Sequence, residues 1–348
     1  MAENYNFGLI SQHIGRLLGL HFTERQLEGM GRSVMKAAME LKRDPQPGSL
    51  QKWLENSSLP KNEIDALVRH LSVGETYFFR ENSGLDLFTN EIIPALRKQD
   101  PAQEIRIWSA GCSSGEEPYT LAMLLHENMP DLQKRKIHIL ASDLNADALK
   151  KAQKGVYTPW SFRETPEVYK NKYFTPVGKH FEIRKDIRQM VTFIQLNLAG
   201  TEYPSAGNGT DNMDVIFCRN VLMYFLPEMA IEVSKRFYQA LKQDGWLITS
   251  QVELHEEYYA TFKKLRYKNG VFYRKSAKDV AQRYGIVGWV KNTDDGDVEM
   301  LMQGSHEAVE RLLEWCHHGP SGAVVRKIDM LHDRSIQEEE FGDFSIYL

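Results

Sequence analysis

The stretch Ala110–Tyr119, AGCSSGEEPY, places two glycines and two adjacent carboxylates directly after the apolar run IRIWSA. Gly111 and Gly115 permit a tight turn and close approach of the backbone to a ligand. Glu116 and Glu117 fall where the next helical run begins. A dinucleotide-binding fold puts its pyrophosphate at such a helix N-terminus. Two carboxylates there repel a phosphate and suit a ligand that carries positive charge. The same pair also fits the positive end of a helix dipole, which accounts for the glutamates but not for the glycine turn before them.

Other apolar runs also end in polar residues. Asp143 closes IHILASD, where an acid accepts hydrogen bonds from ribose hydroxyls in nucleotide-binding folds. On position alone it serves equally well as a helix N-cap or turn residue. Asn197 and Leu198 close VTFIQLNL; Arg219 and Asn220 close DVIFCRN, just before VLMYF with Tyr224. Ligands of open α/β sheets sit outside the carboxyl ends of the strands, so one rim would carry all of these side chains. S-adenosylmethionine fits such a rim, because it has a sulfonium and an ammonium and no phosphate. The sequence has no metal-ligand spacing of His, Cys or acids and no nucleophile elbow.

These residues need a scaffold. Strands over Ile105–Ala110, Ile137–Asp143, Val191–Leu198, Asp214–Asn220 and WLITS after Gly245 alternate with helices over Pro118–Met129, Ala146 to about Gln153 and Pro227–Leu241. That alternation predicts a doubly wound, mostly parallel, Rossmann-like α/β sheet covered on both faces. Residues of about 154–190 break the rhythm with aromatics and charge, and read as an insert with a short hairpin. Residues 5–80 read as four helices. Phe7, Ile10, Ile14, Leu17 and Leu18 keep helical spacing. Thr23 and Gln26 form a capping box for the next helix, with Met30, Val34 and Met39. Segments near Leu50–Asn56 and at Lys61–Ser72 follow, with Pro45, Pro47 and Gly48 punctuating the join before Leu50.

From about residue 277 the pattern predicts a helix (Ala277–Tyr284), a strand (Val287–Asn292), a turn at Asp295-Gly296 and a strand (Asp297–Met302). A helix (His306–His317), a strand (Ala323–Leu331) and a last strand (Phe344–Leu348) follow, with Glu338–Glu340 as a solvated loop. One preceding strand completes a β-α-β-β-α-β, ferredoxin-like α+β order. The expected division is a helical N-terminal domain (1–80), an α/β domain (81–275, insert about 154–190) and a ferredoxin-like domain (276–348). Residues 266–275 suit either of the last two.

A length of 348 residues, 42% hydrophobic and 26% charged, supports two or three domains with real cores. The net charge of -4, with no strongly basic domain, gives no reason to expect nucleic acid as a partner. Cys112, Cys218 and Cys316 are widely spaced and read as free thiols in a reducing compartment. The first residues lack the form of a signal peptide. No run reaches the roughly 18 apolar residues of a membrane span. The expectation is a soluble, cytoplasmic protein with no membrane insertion.

VGETYFFRE (Val73–Glu81), IRIWSAGCSSGEEPYTLAM (Ile105–Met123), ASDLN (Ala141–Asn145), VTFIQLNL and DVIFCRNVLMYF together resemble the chemotaxis receptor methyltransferase family. The resemblance covers about residues 5–275, including the helical start and the insert with Tyr173 and Phe174. It implies methylation of glutamate side chains on the cytoplasmic helices of chemoreceptors. The cofactor would be S-adenosyl-L-methionine and the product S-adenosyl-L-homocysteine. It further implies that Thr76 and Arg80 reach the cofactor and the reaction centre, and that Glu117 meets the cofactor amine or methionine part. Asp143 would hold the ribose; Asn197, Leu198, Arg219 and Asn220 would line the adenosine cleft; Tyr224 would stand beside the methyl group and the incoming carboxylate. Without the resemblance, Tyr224 reads as a packed aromatic beside Phe225. Where many members carry Thr-Asn, this chain has Val73-Gly74, so a cofactor contact carried by that asparagine is lost or replaced. The insert is short compared with members that tether to a receptor's C-terminal peptide, so weak or no dependence on a tether is expected.

The tail is similar to acylphosphatase over about residues 266–348, through GVFYRK, GWVKN and EWCHHGPSGAVV. That resemblance implies hydrolysis of carboxyl phosphates, with Arg274 clamping the phosphoryl group and Asn292 orienting water. Lys268-Asn269-Gly270 stands where that family usually has Val-Gln-Gly, and GVFYRK suits the last strand of the methyltransferase equally well. Three functions follow: a protein-glutamate methyltransferase, a phosphohydrolase seated in the tail, or a cofactor-binding module without turnover. The first is the expectation.

Overall fold

The computed structural model of the protein describes residues 7–56, 58–275, 285–292, 298–318 and 344–347. It opens with α1 (Phe7–Leu18), α2 (Leu27–Glu40), α3 (Pro47–Glu55) and α4 (Lys61–Leu71). Ile10, Ile14, Leu18, Val34, Leu50, Leu54 and Leu67 close a shared core. The Thr23 N–H donates to Gln26 Oε1 at 2.9 Å, as the capping box requires. α3 begins at Pro47, three residues before its predicted start. The reason is local: Pro47 is the first helical residue, where the missing N–H has no intrahelical partner to lose. Next come two helices absent from the sequence reading, α5 (Asn82–Leu87) and α6 (Ile93–Arg97), joined by a π turn at Phe88–Ile92. Pro94, which has no N–H to donate, lies just beyond that turn.

Then follow β1 (Ile105–Ala110), α7 (Glu116–Asn128), β2 (Ile137–Asp143) and α8 (Ala146–Lys154). The insert comprises β3 (Val156–Tyr157), α9 (Glu167–Tyr173), β4 (Phe174–Val177), β5 (His180–Ile183) and α10 (Lys185–Arg188). It forms a small antiparallel sheet in the order β3-β5-β4, as the hairpin reading expects. The main sheet continues with β6 (Val191–Gln195), β7 (Met213–Cys218), α11 (Pro227–Ala240), β8 (Leu241–Thr249), β9 (Lys263–Tyr267) and β10 (Gly270–Arg274). Its order is β6-β2-β1-β7-β8-β10-β9. The first five strands are parallel, and β10 runs antiparallel to both its neighbours. Alternate residues feed two cores: Ile107, Ile139, Val215 and Phe217 on one face, Trp108, Leu140, Ile216 and Leu247 on the other. Burial on both faces is what makes these strands read as continuous apolar runs.

In the tail, β11 (Val287–Asn292) pairs antiparallel with β12 (Val298–Gln303) and parallel with β13 (Phe344–Tyr347). α12 (His306–His318) packs Ala308 and Leu312 against Ile286. The predicted helix at 277–284, turn at 295–296, strand at 323–331 and loop at 338–340 lie outside the described residues. The strand expected to open the ferredoxin-like order is β10, and it belongs to the main sheet. Phe272 and Tyr273 are buried there, and the β9–β10 hairpin supplies an adjacent antiparallel partner. Among the described residues no helix is long and apolar enough to cross a membrane.

Lys275, directly after β10, is 2% exposed. Its Nζ donates to the Leu241 carbonyl at 2.7 Å, just past the end of α11, and lies 4.8 Å from the Tyr238 ring centroid. Burial lowers its pKa to about 8. Below that pH the fold holds a buried charge; between about 8 and the unfolded value the native state sheds a proton that the unfolded state keeps, so stability rises with pH. Wild type should therefore gain stability relative to Lys275→Met as pH rises from 7.5 to 10, read from urea midpoints. A gap constant across that range contradicts this.

Candidate active site

One cleft lies at the carboxyl ends of β1, β2, β6 and β7, and Thr76, Arg80, Glu117, Asp143, Asn197, Leu198, Arg219, Asn220 and Tyr224 all line it. Residues 71–77, from the last residue of α4 onward, and Leu20–Phe22 after α1 complete its walls. Its floor is the glycine turn. The Gly111 and Cys112 N–H groups donate to the Ser142 carbonyl at 2.8 and 2.9 Å. Gly111 has φ +79°, and a Cβ there would sit 2.4 Å from Val221 Cγ2, so no other residue fits without displacing the facing loop.

Asp143 accepts the Ser113 N–H at Oδ2 and the Asn145 N–H at Oδ1, both at 2.8 Å. Burial raises its pKa, and these two N–H groups pull the other way. A carboxylate has about four lone-pair positions, so acceptor capacity remains for ribose hydroxyls.

The two glutamates at the start of α7 part company. Glu116 is buried; its oxygens accept from Ser114 Oγ at 2.8 Å and from Ser161 Oγ of the insert at 3.1 Å. Glu117 alone lines the cleft. Its Oε1 accepts from Ser109 Oγ and its Oε2 from Arg219 Nε, each at 2.7 Å. Arg219 also donates through Nη1 to the Arg80 carbonyl at 2.6 Å and the Glu81 carbonyl at 3.1 Å. Its Nε and Nη1 are therefore committed to protein groups, and it joins β7 to the TYFFR segment.

That segment is anchored by aromatics. Phe78 packs against Phe162 and Phe174, each at 5.0 Å between centroids, and Tyr157 at 4.8 Å. Phe79 lies 4.5 Å from Tyr169. With its side chain so pinned, the backbone turns through left-handed φ at Phe79 (+60°) and Glu81 (+53°). Ser113 (+48°) and Asn220 (+58°) do the same elsewhere on the cleft. Such positions cost about 1–3 kcal/mol each and persist only where the surroundings fix them. Arg80 donates Nη1 to the Glu75 carbonyl at 2.9 Å and stands 5.6 Å from the Tyr77 ring centroid. Gly74, in the departing Val73-Gly74 pair, uses its carbonyl to accept from Ser113 Oγ at 3.2 Å.

On the opposite wall Asn197 Oδ1 accepts the Ala199 N–H at 2.9 Å, and Leu198 is buried. Tyr224 is half-buried, and its carbonyl accepts the His21 N–H at 2.7 Å. Two carboxylates that support this wall were not anticipated. Glu81 Oε1 accepts from Asn220 Nδ2 and Ser250 Oγ, both at 2.9 Å, and Glu253 collects backbone N–H groups from the Tyr224 loop. The pattern Ser250-x-x-Glu253 is a capping box legible in the sequence.

The tail residues are elsewhere. Arg274 lies in β10 with Nη2 3.3 Å from Asp244 Oδ1, Nε donating to the Asp244 carbonyl at 3.2 Å, and its guanidinium 5.4 Å from the Trp246 ring. Gly270–Arg274 is a ladder strand, not a loop open to phosphate. Asn292 ends β11 opposite Val298.

Residues 74–271 match the model of the CheR methyltransferase SAM-binding domain. The chain belongs to the CheR methyltransferase family. It is 37% identical over 218 residues to "Chemotaxis protein methyltransferase 2" of Vibrio cholerae, spanning 62% of this chain and 74% of that protein. It is 35% identical over 219 residues to the chemotaxis protein methyltransferase of Borreliella burgdorferi, spanning 62% and 75%. Residues 269–346 match the acylphosphatase family. A solved acylphosphatase from Bacillus subtilis is 32% identical, covering 21% of this chain and 78% of its own, with a TM-score of 0.19. The chain is thus an S-adenosylmethionine-dependent methyltransferase carrying an acylphosphatase-family domain. The cleft suits the cofactor: a glycine floor that a Cβ would block, and carboxylates at Glu117 and Asp143 rather than a cluster of lysines.

Breaking a buried ion pair from one side leaves an uncompensated charge and costs about 3–5 kcal/mol. The Arg219 and Glu117 side chains are 4% and 12% exposed. Arg219→Ala should lower stability by that order in denaturant unfolding. A change under 1 kcal/mol contradicts the clamp.

Proposed function

We propose that this chain methylates glutamate side-chain carboxylates on the cytoplasmic helices of chemoreceptors, acting in the cytoplasm, and that Arg80 and Tyr224 handle the substrate. One observation carries this reading: an arginine and a tyrosine line the same cleft as the acceptor-rich cofactor cradle. Bound S-adenosylmethionine supplies an electrophilic methyl group on a sulfonium, which leaves as the thioether of S-adenosylhomocysteine. Glu117, Asp143, Asn197, Leu198 and Asn220 would hold it, with Thr76 at its edge and Arg219 fixing Glu117.

A glutamate carboxylate is already ionised at neutral pH, so the site needs no strong base. Its tasks are to strip water from the carboxylate and hold it in line. Arg80 would pair with it through a charge-assisted bond. Tyr224 would hydrogen-bond it from the other wall. Orientation of this kind supplies most of the rate. In this reading the helical domain spans 1–80, the catalytic domain 81–275 and the tail 276–348. The tail acts as an accessory module. The place of Arg274 in β10 favours an inert tail over a phosphohydrolase, because its guanidinium and the strand's backbone already have partners. The short insert supports activity on receptors that lack a C-terminal tether peptide.

Radiolabelled S-adenosylmethionine with receptor cytoplasmic fragments should give label that alkali releases as methanol. Arg80→Ala and Tyr224→Phe should lower that rate at least tenfold while melting near wild type; wild-type rates in both would remove the assigned roles. Hydrolysis of an acyl phosphate by the full chain should stay at background. An Arg274-dependent rate would reinstate the phosphohydrolase.

A further inference from the structure

The loop that carries Tyr224 cannot satisfy its own backbone. After β7 it passes through Asn220 in the left-handed region and makes two internal bonds, Tyr224 N–H to the Val221 carbonyl and Phe225 N–H to the Leu222 carbonyl. The N–H groups of Asn220, Val221 and Met223 are left over, and buried N–H groups without partners are rare. Glu253 meets all three. Its Oε2 accepts from Asn220 at 2.6 Å, and its Oε1 from Val221 at 2.7 Å and Met223 at 3.2 Å. The Ser250 N–H adds a fourth bond to Oε2 at 3.3 Å.

Glu253 is fully buried, and among the described residues no Lys or Arg side chain forms an ion pair with it. Burying a carboxylate is costly unless hydrogen bonds replace its water, and here four backbone N–H groups supply them. An apolar side chain would fill the space but orphan four donors. The same turn is tied to the end of the TYFFR segment, because Ser250 Oγ shares Glu81 Oε1 with Asn220 Nδ2. The loop has no slack on its other side either, since Val221 abuts the Gly111 turn.

We propose that Glu253 is a positioning residue for methyl transfer: its carboxylate gathers the Asn220–Met223 backbone and so sets where Tyr224 stands relative to the cofactor cleft. The inference rests on the reading above that Tyr224 faces the reacting carboxylate. It touches neither substrate nor cofactor and acts through the loop.

The test uses the full chain with Glu253→Gln, which keeps the shape but turns one acceptor into a donor facing N–H groups, and Glu253→Asp, which keeps both acceptors but retracts them. A displacement near 1 Å costs roughly a hundredfold in rate. Glu253→Gln should lose about that in kcat with S-adenosylhomocysteine affinity within threefold, and Glu253→Asp should recover part of it. In a Tyr224→Phe background the Glu253→Gln loss should shrink, because both changes act through one group. Wild-type kcat in both variants, or losses that simply multiply, overturns the proposal. Amide exchange at Asn220, Val221 and Met223 reads the loop without catalysis: faster exchange in either variant supports it, and wild-type protection in both overturns it. Failure of both variants to fold assigns Glu253 to the fold alone and overturns it as well. Absence of base-labile label from the wild-type reaction would instead count against glutamate methylation itself, and the exchange result would still stand on its own.

Discussion

Arg219 and Glu117 meet at 2.7 Å with almost no access to water, and each also holds something else in place. Glu117 takes a second bond from Ser109 in β1, and Arg219 reaches the carbonyls of Arg80 and Glu81. Three separate pieces of chain, the start of α7, the end of β7 and the TYFFR segment, are thereby fixed to one another. A buried pair of this kind adds little net stability over apolar packing, because desolvation offsets the attraction. What it provides is geometry. Once the pair forms, the left-handed turns at Phe79, Glu81 and Asn220 are held from both sides.

The remaining elements brace that centre. The insert clamps Phe78 in a ring cluster, takes its N–H at the Ser161 carbonyl at 3.0 Å, and stacks Arg163 on Tyr77 at 3.7 Å. The helical bundle closes the other side. Arg69 in α4 pairs with Asp147 of α8 at 2.5 Å, Asn145 donates to Ser72 at 2.9 Å, and His21 bonds the Tyr224 carbonyl. The helices before the sheet are thus part of the cleft wall rather than an appendage.

Much of this was legible in the residues. Nine candidate side chains line one cleft: a parallel sheet delivers its carboxyl ends to one rim, and the anchored TYFFR segment brings Thr76 and Arg80 to it. Which partner each side chain takes was less legible. Glu116 and Glu117 adjoin in sequence, yet Glu116 turns to Ser161 of the insert and Glu117 to Arg219 after β7, partners 45 and 102 residues further along the chain. Glu253 was missed although its capping box is written in the chain, since its targets lie about thirty residues back. The helices at Asn82–Arg97 are hard to read from sequence because Pro94 and the π turn before it interrupt the helical spacing. GVFYRK suited two sheets, and pairing with β8 and β9 decided it: the hairpin partner is nearest along the chain, and Phe272 and Tyr273 find a prepared core.

The central claim is that the cofactor cleft is assembled by the Arg219–Glu117 pair. Titration calorimetry of S-adenosylhomocysteine into wild type and Arg219→Lys, which disturbs the pair without altering the Glu117 carboxylate, tests it most directly. The account predicts an affinity at least tenfold weaker in the variant, about 1.4 kcal/mol. An affinity within twofold of wild type, in a protein that folds normally, would contradict it.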